Sequence, residues 1–472
     1  MNDLLIMKFG GTSVGSAERM RIAAGIAAGA AAPQGQPRPV ALVVSAMSKI
    51  TDLLLDTMRR AEAGDTAGLE ANIARLRERH LATCRELLPP GQHPAAEEGV
   101  ARLIAEFERI AGGMLMLSEM PPRSVDEAVA TGERLSALLM AEYLNARGTP
   151  AEAVNAAEII VTDAVFGNAS PLMEPTRAKS RARLLPLLEQ GILPVVTGFN
   201  GATADGRPTT LGRGGSDFSA SILSAALDAT ELWIWTDVDG IMSADPRLVP
   251  SAAVLDEVTY AEAAELAYNG AKVLHPRTLA PLIERKIPVW SKNSFAPEKI
   301  GTRIAPSISA ASGARAVTSL AGVALISLEP ASPELSGAHV MARALDALDR
   351  ANVEVLVLSS SSYRQNFCFL VRAEELEKSR HALESALALE LAHDYVHPIQ
   401  VDEKVGLLAV VGEGMQGKPG IAGRIFTAIS RENVNIIAIA QGSSELTIAI
   451  VVSRDGLEKA VRAVHAECGM GR

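Results

Sequence analysis

The chain has 472 residues, of which 48% are hydrophobic but only 4% aromatic, so a large core must be built mostly from Ala, Val, Ile and Leu. Its 45 Lys and Arg residues face 55 Asp and Glu residues, and the net charge of −10 argues against non-specific binding to nucleic acid or an anionic membrane. No apolar run has membrane-spanning length, no cationic leader precedes the first strand, and the three cysteines lack CxxC spacing. We therefore expect a cytoplasmic protein with reduced thiols.

Short apolar runs in chain order predict buried parallel strands: LLIMKF, VALVVSA, ILPVVTGF, ELWIWT and IPVW. Stretches rich in Ala, Leu, Glu and Arg separate these runs and predict helices. Strands that alternate with helices favour an α/β sandwich with a mostly parallel sheet. Residues 57–147 are strongly helical in composition, so we expect a helical lobe to interrupt the strand pattern.

The first run leads directly into a glycine turn. The segment IMKFGGTSVGS contains Lys8, and behind it follow the pair Gly10 and Gly11 and the hydroxyl residues Thr12 and Ser13. Glycine turns at helix N-termini expose backbone N–H groups that bind phosphate oxygens. A lysine at a strand end adds a point charge for a phosphoryl group in transfer.

Two further motifs follow in the first half of the chain. The segment VVSAMSKITD places Ser45 and Thr51 behind a strand, and ATGERLSA places Glu133 at a helix start. Glu133 could hold an ammonium group, although a lone glutamate there would more often be a solvated helix residue.

The segment TTLGRGGSDFSAS surrounds Arg213 with glycines, including Gly214, and continues with Ser216 and Asp217. The planar guanidinium of Arg213 suits a carboxylate. An arginine together with a glutamate is what a pocket needs to bind both ends of an α-amino acid. The segments WTDVDGIMSADPR and NGAKVLHP, the second with Lys272, complete the set.

Each motif alone could be a packing turn, a helix cap or an exposed charge. Their combination indicates an enzyme that binds phosphate and an amino acid. The sequence lacks the Walker A pattern, the HRD and DFG motifs of protein kinases, the GxSxG elbow and a Cys/His metal cluster. His275 in VLHP is interpreted as structural.

The C-terminal part begins after a linker, whose core APSISAASGA is rich in Ser, Ala, Gly and Pro. Residues 350–383 then match residues 431–464 without a gap, at an offset of 81. Each copy has the order strand, helix, strand, strand, helix, which is typical of a ferredoxin-like unit. The repeat is either a dimerisation module or a paired ligand sensor. We predict domain boundaries at 1–304, 305–318 for the linker, 319–397 and 398–472.

The motifs KFGGTSVGS, VSAMSKIT, GERLS, GRGGSD, TDVDGIMSADPR and GAKVLHPRT resemble those of the aspartate kinases, in the amino-acid kinase family, in order and spacing. The resemblance covers essentially the whole chain, and the repeat resembles the two ACT modules of these enzymes. It implies a three-layer sandwich with a mostly parallel central sheet, followed by two ferredoxin-like ACT units. It also leads us to expect no fused homoserine dehydrogenase.

The resemblance implies the reaction ATP + L-aspartate → ADP + 4-phospho-L-aspartate, the first step toward lysine, threonine and methionine. It assigns catalysis to Lys8, oriented by Asp217. Phosphate binding is assigned to Gly10, Gly11, Thr12, Ser13 and Gly214, and substrate binding to Ser45, Thr51, Glu133, Arg213 and Ser216. Nucleotide binding is assigned to Thr236, Asp237, Met242, Arg247 and Lys272. Many relatives have Tyr at the position of Met242, which leaves its contact with adenosine open.

ATP is the expected phosphoryl donor. Mg²⁺ would come bound to it, and the sequence identifies no protein ligand for the metal. The ACT units are expected to bind an amino-acid effector at Gln441, threonine in preference to lysine, and to form a homodimer or higher homo-oligomer. The inhibiting amino acid, the oligomer size and the threading of the two ACT units stay open.

Two other functions compete with this interpretation. Another amino-acid kinase, for glutamate or acetylglutamate, is disfavoured by GERLS and the double ACT tail. A catalytically silent amino-acid sensor is disfavoured because it would need none of Lys8, Glu133, Arg213 and Asp217.

Overall fold

The structure is a computed structural model that describes residues 3–32, 35–271, 274–308, 313–331, 336–361 and 366–471. The chain forms two compact units. The first comprises Met1–Ile241, Asp256–Tyr260 and Leu274–Ser307, and the second comprises Met242–Leu255, Ala261–Val273 and Ile308–Arg472.

The first 305 residues contain eleven of the described strands and ten of the described helices. The strands are β1 (Leu5–Phe9), β2 (Val40–Val44), β3 (Ala151–Val154), β4 (Val161–Thr162), β5 (Leu193–Thr197), β6 (Asn200–Thr203), β7 (Pro208–Thr210), β8 (Glu231–Thr236), β9 (Glu257–Thr259), β10 (Val289–Asn293) and β11 (Thr302–Ala305). The helices are α1 (Ala17–Ala31), α2 (Ile50–Glu62), α3 (Thr66–Leu87), α4 (His93–Leu117), α5 (Pro122–Val129), α6 (Thr131–Ala146), α7 (Met173–Glu189), α8 (Gly215–Leu227), α9 (Tyr260–Tyr268) and α10 (Pro276–Arg285).

An eight-stranded sheet organises the first unit, in the order β3-β5-β2-β1-β8-β10-β11-β9. Its strands pair in parallel except for the antiparallel β10–β11 pair. The five predicted apolar runs form β1, β2, β5, β8 and β10, and the predicted mostly parallel fold is confirmed. The strand β1 is fully buried, as its continuous apolar sequence requires.

Side chains alternate between the two faces of this sheet. Leu5, Met7 and Phe9 of β1 belong to a core cluster with residues of α1 and α6. Lys8 therefore points to the opposite face, on which α8 packs against β1. The register Phe9↔Trp235 brings the residues that follow β1 next to those that follow β8. Ligands of open parallel sheets bind at this edge, beyond the carboxyl ends of the strands.

The predicted helical lobe consists of α2 to α6, and these helices pack against one another. Its apolar side chains join the same core cluster as β1, among them Leu54, Ile73 and Ile104. Across the described ranges, no helix combines the length and apolar character that crossing a membrane would need.

The C-terminal part contains eight described strands and five described helices. The strands are β12 (Ala316–Leu320), β13 (Val323–Leu328), β14 (Val357–Ser360), β15 (Phe367–Arg372), β16 (Gln400–Asp402), β17 (Val405–Val411), β18 (Ile436–Gln441) and β19 (Thr447–Ser453). The helices are α11 (Gly337–Arg350), α12 (Leu376–Ala386), α13 (Ala388–Ala392), α14 (Ile421–Arg431) and α15 (Leu457–Glu467).

Two four-stranded antiparallel sheets carry the repeat, in the orders β14-β15-β13-β16 and β12-β17-β19-β18. The strand pairing crosses the predicted boundary at residue 397, because β16 pairs with β13. It also crosses the boundary at residue 318, because β12 pairs with β17 and supplies the strand that the second copy lacks. The two ferredoxin-like units are therefore interleaved, which settles their threading.

Two segments that lie within the predicted kinase boundaries, 242–255 and 261–273, are grouped with the second unit. Ala244 and Val249 share a core cluster with residues of β12, β17 and α15. The buried Ser243 forms a hydrogen bond of 2.9 Å with His465 of α15. The buried Glu262 accepts from the Glu413 amide at 2.9 Å. The predicted domain boundaries stay predictions. The division into compact units places these two segments with the C-terminal part of the chain, whereas the predicted boundaries place them in the kinase domain.

Candidate active site

A cavity of about 610 Å³ opens in the first unit at the carboxyl edge of the sheet. Its walls come from the glycine turn after β1, the segment between β2 and α2, the start of α6 and the turn into α8. Nine of the predicted residues line it: Lys8, Gly11, Ser45, Thr51, Glu133, Arg213, Gly214, Ser216 and Asp217.

Lys8 and Asp217 both line this cavity and form an ion pair with each other. The Lys8 Nζ lies 2.5 Å from the Asp217 Oδ1, and only 10% of the lysine side chain is exposed. Asp217 is in the first turn of α8, where the positive end of the helix dipole stabilises a carboxylate. The pair fixes an ammonium group at the carboxyl edge of the sheet, and the catalytic roles of Lys8 and Asp217 stay predictions.

The turn before α8 depends on a left-handed glycine. Gly214 is the N-cap of α8 with φ of 70°, a conformation that costs a residue with a side chain about 1–2 kcal/mol. The preceding residue, Arg213, is exposed and lines the cavity, and its side chain ends in a planar guanidinium. Such a guanidinium can receive a carboxylate in bidentate geometry.

Glu133 is the most unusual group in the cavity. It is only 3% exposed at the start of α6, and burial raises the pKa of its carboxyl to about 8. Backbone amides of Ala46 and of Glu133 itself donate to the carboxyl and oppose this rise in pKa. Its Oε2 has no hydrogen-bond partner among the described residues. A buried acceptor without a partner is costly, so it fits a ligand that donates hydrogen bonds, such as an ammonium group.

The other residues of the first glycine turn have partners within the protein. The Gly10 amide donates to the Trp235 carbonyl at 3.1 Å. Ser13 is fully buried, and its hydroxyl lies 2.7 Å from the Ser294 hydroxyl. The Gly10 amide and the Ser13 hydroxyl therefore already have partners within the protein, and their predicted phosphate binding stays a prediction. Thr12 is exposed and, like Gly10 and Ser13, is not among the described residues that line the cavity.

Two predicted nucleotide residues lie at the end of β8, next to the glycine turn. Thr236 is half-buried, and its carbonyl accepts from the Ser294 amide at 2.9 Å. Asp237 is exposed and accepts from the Thr236 hydroxyl at 3.3 Å. A little further on, Asp239 accepts from Asn293 and from Lys299, each at 2.6 Å, and Lys299 lowers the pKa of its carboxyl.

The remaining nucleotide residues belong to the second unit or lie outside the described part. Met242 forms an isolated antiparallel bridge with Val254. Arg247 is exposed and pairs with Asp245 at 2.5 Å. Lys272 lies outside the described residues.

The predicted effector residue Gln441 is the exposed last residue of the edge strand β18 and pairs with Ile448. The loop after β18 approaches the turn before α14, because the Gly417 amide donates to Glu445 Oε2 at 2.6 Å. One hydrogen bond therefore joins these two loops directly.

Sequence reasoning missed two cavity residues with a left-handed backbone. Phe199 has φ of 72° and Lys49 has φ of 65°, which for a bulky residue is strained. The Leu211 amide donates to the Phe199 carbonyl at 2.8 Å, so Phe199 supports the segment before Arg213. Lys49 stood inside the quoted motif SAMSKITD, but no pattern gave the φ of either residue.

Among the described residues, no group of three or more His, Cys, Asp and Glu side chains could hold a metal ion. The polar groups of the cavity are instead arranged as one ion pair, one buried carboxyl and one exposed guanidinium. This set suits a ligand that carries both an ammonium and a carboxylate and that meets a phosphoryl group at Lys8.

Comparison with known protein families gives two matches. Residues 3–293 match the amino acid kinase family, and residues 408–468 match an ACT domain.

The chain is also similar to proteins of known function. The chain is 33% identical to the chloroplastic bifunctional aspartokinase/homoserine dehydrogenase 1 of Arabidopsis thaliana, over 99% of this chain and 51% of that protein. It is 29% identical to the aspartokinase of Saccharomyces cerevisiae, over 98% of this chain and 92% of that protein. The chain thus spans about half the length of the bifunctional relatives it matches.

The fold is similar to that of E. coli aspartokinase III in complex with aspartate and ADP, with a TM-score of 0.83 and 30% identity. The similarity covers 98% of this chain and 99% of that one. The same enzyme in complex with lysine and aspartate gives a TM-score of 0.78.

Proposed function

The chain belongs to the amino acid kinase family, and from this premise we propose that it transfers the γ-phosphoryl group of ATP to the side-chain carboxylate of L-aspartate. The product is 4-phospho-L-aspartate, the first intermediate toward lysine, threonine and methionine. The 30% identity to an aspartokinase structure over nearly the whole chain supports the choice of aspartate.

One observation carries the proposal. The buried Glu133, whose Oε2 lacks a partner among the described residues, shares a cavity with Arg213 and with the Lys8–Asp217 pair. In the proposed complex, Glu133 receives the α-ammonium and Arg213 receives the α-carboxylate. The side-chain carboxylate of aspartate then points toward Lys8.

The proposed step needs no general base. The aspartate side chain is already ionised at neutral pH, because its reference pKa is about 4. A carboxylate oxygen forms a bond to the γ-phosphorus, the bond between that phosphorus and the β–γ bridging oxygen breaks, and ADP leaves with the electron pair. Catalysis then depends on alignment and on charge stabilisation.

Lys8 supplies that charge stabilisation in the proposal. Its ammonium would interact with the phosphoryl oxygens as negative charge redistributes, and Asp217 holds it in place at 2.5 Å. Ser45, Thr51 and Ser216 line the same cavity and would orient the substrate. Gly11 and Gly214 are the glycines of the cavity that we assign to phosphate contact.

Within the first unit, the nucleotide is assigned to the end of β8, where Thr236 and Asp237 lie. The nucleotide roles of Met242, Arg247 and Lys272 stay predictions. Magnesium, bound to ATP, would neutralise phosphate charge, and we assign no protein ligand to it.

We further propose that the ACT units bind an amino acid that inhibits the kinase, with Gln441 in the sensor and threonine as the favoured effector. The exposed position of Gln441 beside the loop that meets Gly417 supports this assignment. Lysine is the competing effector, since a similar aspartokinase is known in complex with lysine. Homodimerisation through the ACT units and a cytoplasmic location stay predictions.

An ATP-consumption assay tests the proposed reaction. We expect ADP release that requires aspartate, and trapping of the acyl phosphate by hydroxylamine as a hydroxamate. Release that instead requires glutamate or acetylglutamate would assign the chain to another branch of the family. No release with any of these amino acids, from a protein that still binds effectors, would identify a silent sensor.

A further inference from the structure

A buried carboxylate outside the cavity links the chain segment that carries Glu133 to the segment that carries Arg213. Asp126 lies on α5, is 1% exposed and does not line the cavity. Its Oδ2 accepts from the Gly167 amide at 2.8 Å and from the Thr210 amide at 2.9 Å, and its Oδ1 accepts from the Thr210 hydroxyl at 2.7 Å.

All three of these donors are neutral. A buried carboxylate is costly unless hydrogen bonds replace its water, and Asp126 obtains such bonds from two separate loops. Asparagine could keep all three contacts, because its carbonyl can accept from both backbone amides while its NH₂ donates to the Thr210 hydroxyl. Alanine in this position would remove every one of them and leave two buried amides without their acceptor.

The first link, from Asp126 to Glu133, runs along helices α5 and α6. The helices α5 and α6 are separated only by Ala130, which itself has helical φ and ψ, so Asp126 and Glu133 stand on one nearly continuous helical segment. Asp126 is seven residues before Glu133, which is about two helical turns.

The second link, from Asp126 to Arg213, runs through Thr210. Thr210 ends β7, three residues before Arg213, and its carbonyl accepts from the Ala169 amide at 2.8 Å. Arg277 strengthens the same region, because its guanidinium donates to the Asn168 side chain at 2.5 Å and to the Ala169 carbonyl at 2.7 Å. The segment that carries Arg213 is thus fixed at its start by Asp126.

We propose that Asp126 is a positioning residue that sets the spacing between Glu133 and Arg213, and so selects ligands with the ammonium-to-carboxylate distance of an α-amino acid. The proposal rests on the proposed roles of Glu133 and Arg213. Asp126 acts through these two residues and touches no substrate itself.

The variant Asp126→Ala, which removes all three acceptor contacts, tests this role. We expect the KM for aspartate to rise about 10- to 100-fold, since small misplacements of binding groups have effects of this size, while the KM for ATP changes less than about twofold. The inhibition constant of β-alanine, which lacks the α-carboxylate and so does not need Arg213, should stay near the wild-type value. Arg213→Ala gives the upper limit of the effect on aspartate.

Matched controls separate positioning from general damage. Asp163 accepts from the Val165 and Ser170 amides of the same loop, so Asp163→Ala makes the same chemical change without removing a contact to Thr210. Thr210→Val removes only the hydroxyl bond to Asp126 and should raise the KM for aspartate by less than Asp126→Ala, whereas Thr210→Ser should restore it. The Thr210 series also serves if Asp126→Ala does not fold.

Hydrogen exchange of residues 208–214 gives a readout that needs no substrate, and it should be faster in Asp126→Ala than in wild type. If wild type does not use aspartate, the proposed function fails, while exchange still tests the Asp126 contact. Unchanged exchange together with an unchanged KM for aspartate would overturn the positioning role. Equal rises in KM for ATP, aspartate and the β-alanine constant would overturn it as well.

Discussion

The carboxyl of Glu133 predicts how aspartate binding depends on pH. Burial raises its pKa to about 8, so the free protein holds it protonated at neutral pH, whereas an ammonium ligand binds the ionised form. The KM for aspartate should fall up to about tenfold per pH unit as pH rises toward 8 and level off above it. The check is the KM for aspartate from pH 6 to 9 at roughly unit intervals, with the KM for ATP as control.

The same raised pKa lowers the stability of the folded protein as pH rises, whereas it strengthens aspartate binding. The pKa of the carboxyl is higher in the folded protein than the ordinary value of 4.5 in the unfolded chain, so the folded state binds more protons between 4.5 and about 8. The contribution of Glu133 to stability is thus lost as pH rises through that window. Urea denaturation of Glu133→Gln should show a weaker pH dependence, and a dependence identical to wild type would contradict the raised pKa.

Lys8 is the residue whose removal should affect turnover most directly. Lys8→Ala removes the ammonium that Asp217 holds at 2.5 Å, and loss of one preorganised charge contact lowers kcat by about 10²–10³. The measurement is kcat at saturating ATP and aspartate, with circular dichroism to verify folding. Lys179, exposed on α7, provides the control Lys179→Ala, which should keep wild-type kcat. A folded Lys8→Ala protein with normal kcat would sink the proposed role.

At the scale of elements, the site depends on the close approach of β5 and α8. A Cβ at Gly198, just after β5, would lie 2.7 Å from the Ser216 Cβ and 3.0 Å from its Cα. Gly198→Ala should therefore push away the first turn of α8, which carries Asp217. We expect a loss of stability of about 1–3 kcal/mol and a lower kcat, measured by denaturation and by turnover.

Gly112 provides the matched control for this substitution. It lies inside α4, and a Cβ there would meet nothing within 4 Å. Gly112→Ala should therefore raise stability by about 0.5–1 kcal/mol, because alanine favours helix, and leave kcat unchanged. If both variants lost activity equally, the close approach at Gly198 would not be the cause.

The elements also show what the sequence could predict. Continuous apolar runs identified β1, β2, β5, β8 and β10, because strands buried on both faces consist mostly of apolar residues. The β12–β17 pairing could not be predicted, because the two strands are distant in sequence and their letters do not specify a partner.

Within the candidate site, the sequence could point to the residues whose charges suggest a ligand. Lys8, Glu133 and Arg213 stood in motifs whose charges suggested ligands, and they line one cavity, although their roles stay predictions. Phe199 has a left-handed φ that phenylalanine rarely adopts, so its strain is imposed by the surrounding fold. Asp126 is a single aspartate in a helix, and only its three hydrogen bonds distinguish it.

At the scale of the whole molecule, the proposed sensor should be separable from catalysis. Gln441→Ala should weaken inhibition by threonine while leaving the uninhibited kcat and the KM for aspartate unchanged, since Gln441 lies outside the cavity. Allosteric coupling of about 1–3 kcal/mol corresponds to a 5- to 150-fold change in affinity, which bounds the expected shift. Threonine and lysine titrations of both proteins provide the measurement. Identical inhibition curves would exclude Gln441 from the sensor.

The interleaving of the two C-terminal sheets has a consequence for synthesis on the ribosome. The strand β12 emerges long before β17, and at roughly 5–20 residues per second it must wait on the order of ten seconds for its partner. Until then its backbone N–H and C=O groups are open to pairing with other chains. The hydrogen bond between Ser243 and His465 can form only later still, because His465 lies on α15. A nascent chain that stalls before α15 therefore leaves part of the predicted nucleotide segment without its core, and such a stalled chain is a natural substrate for chaperones.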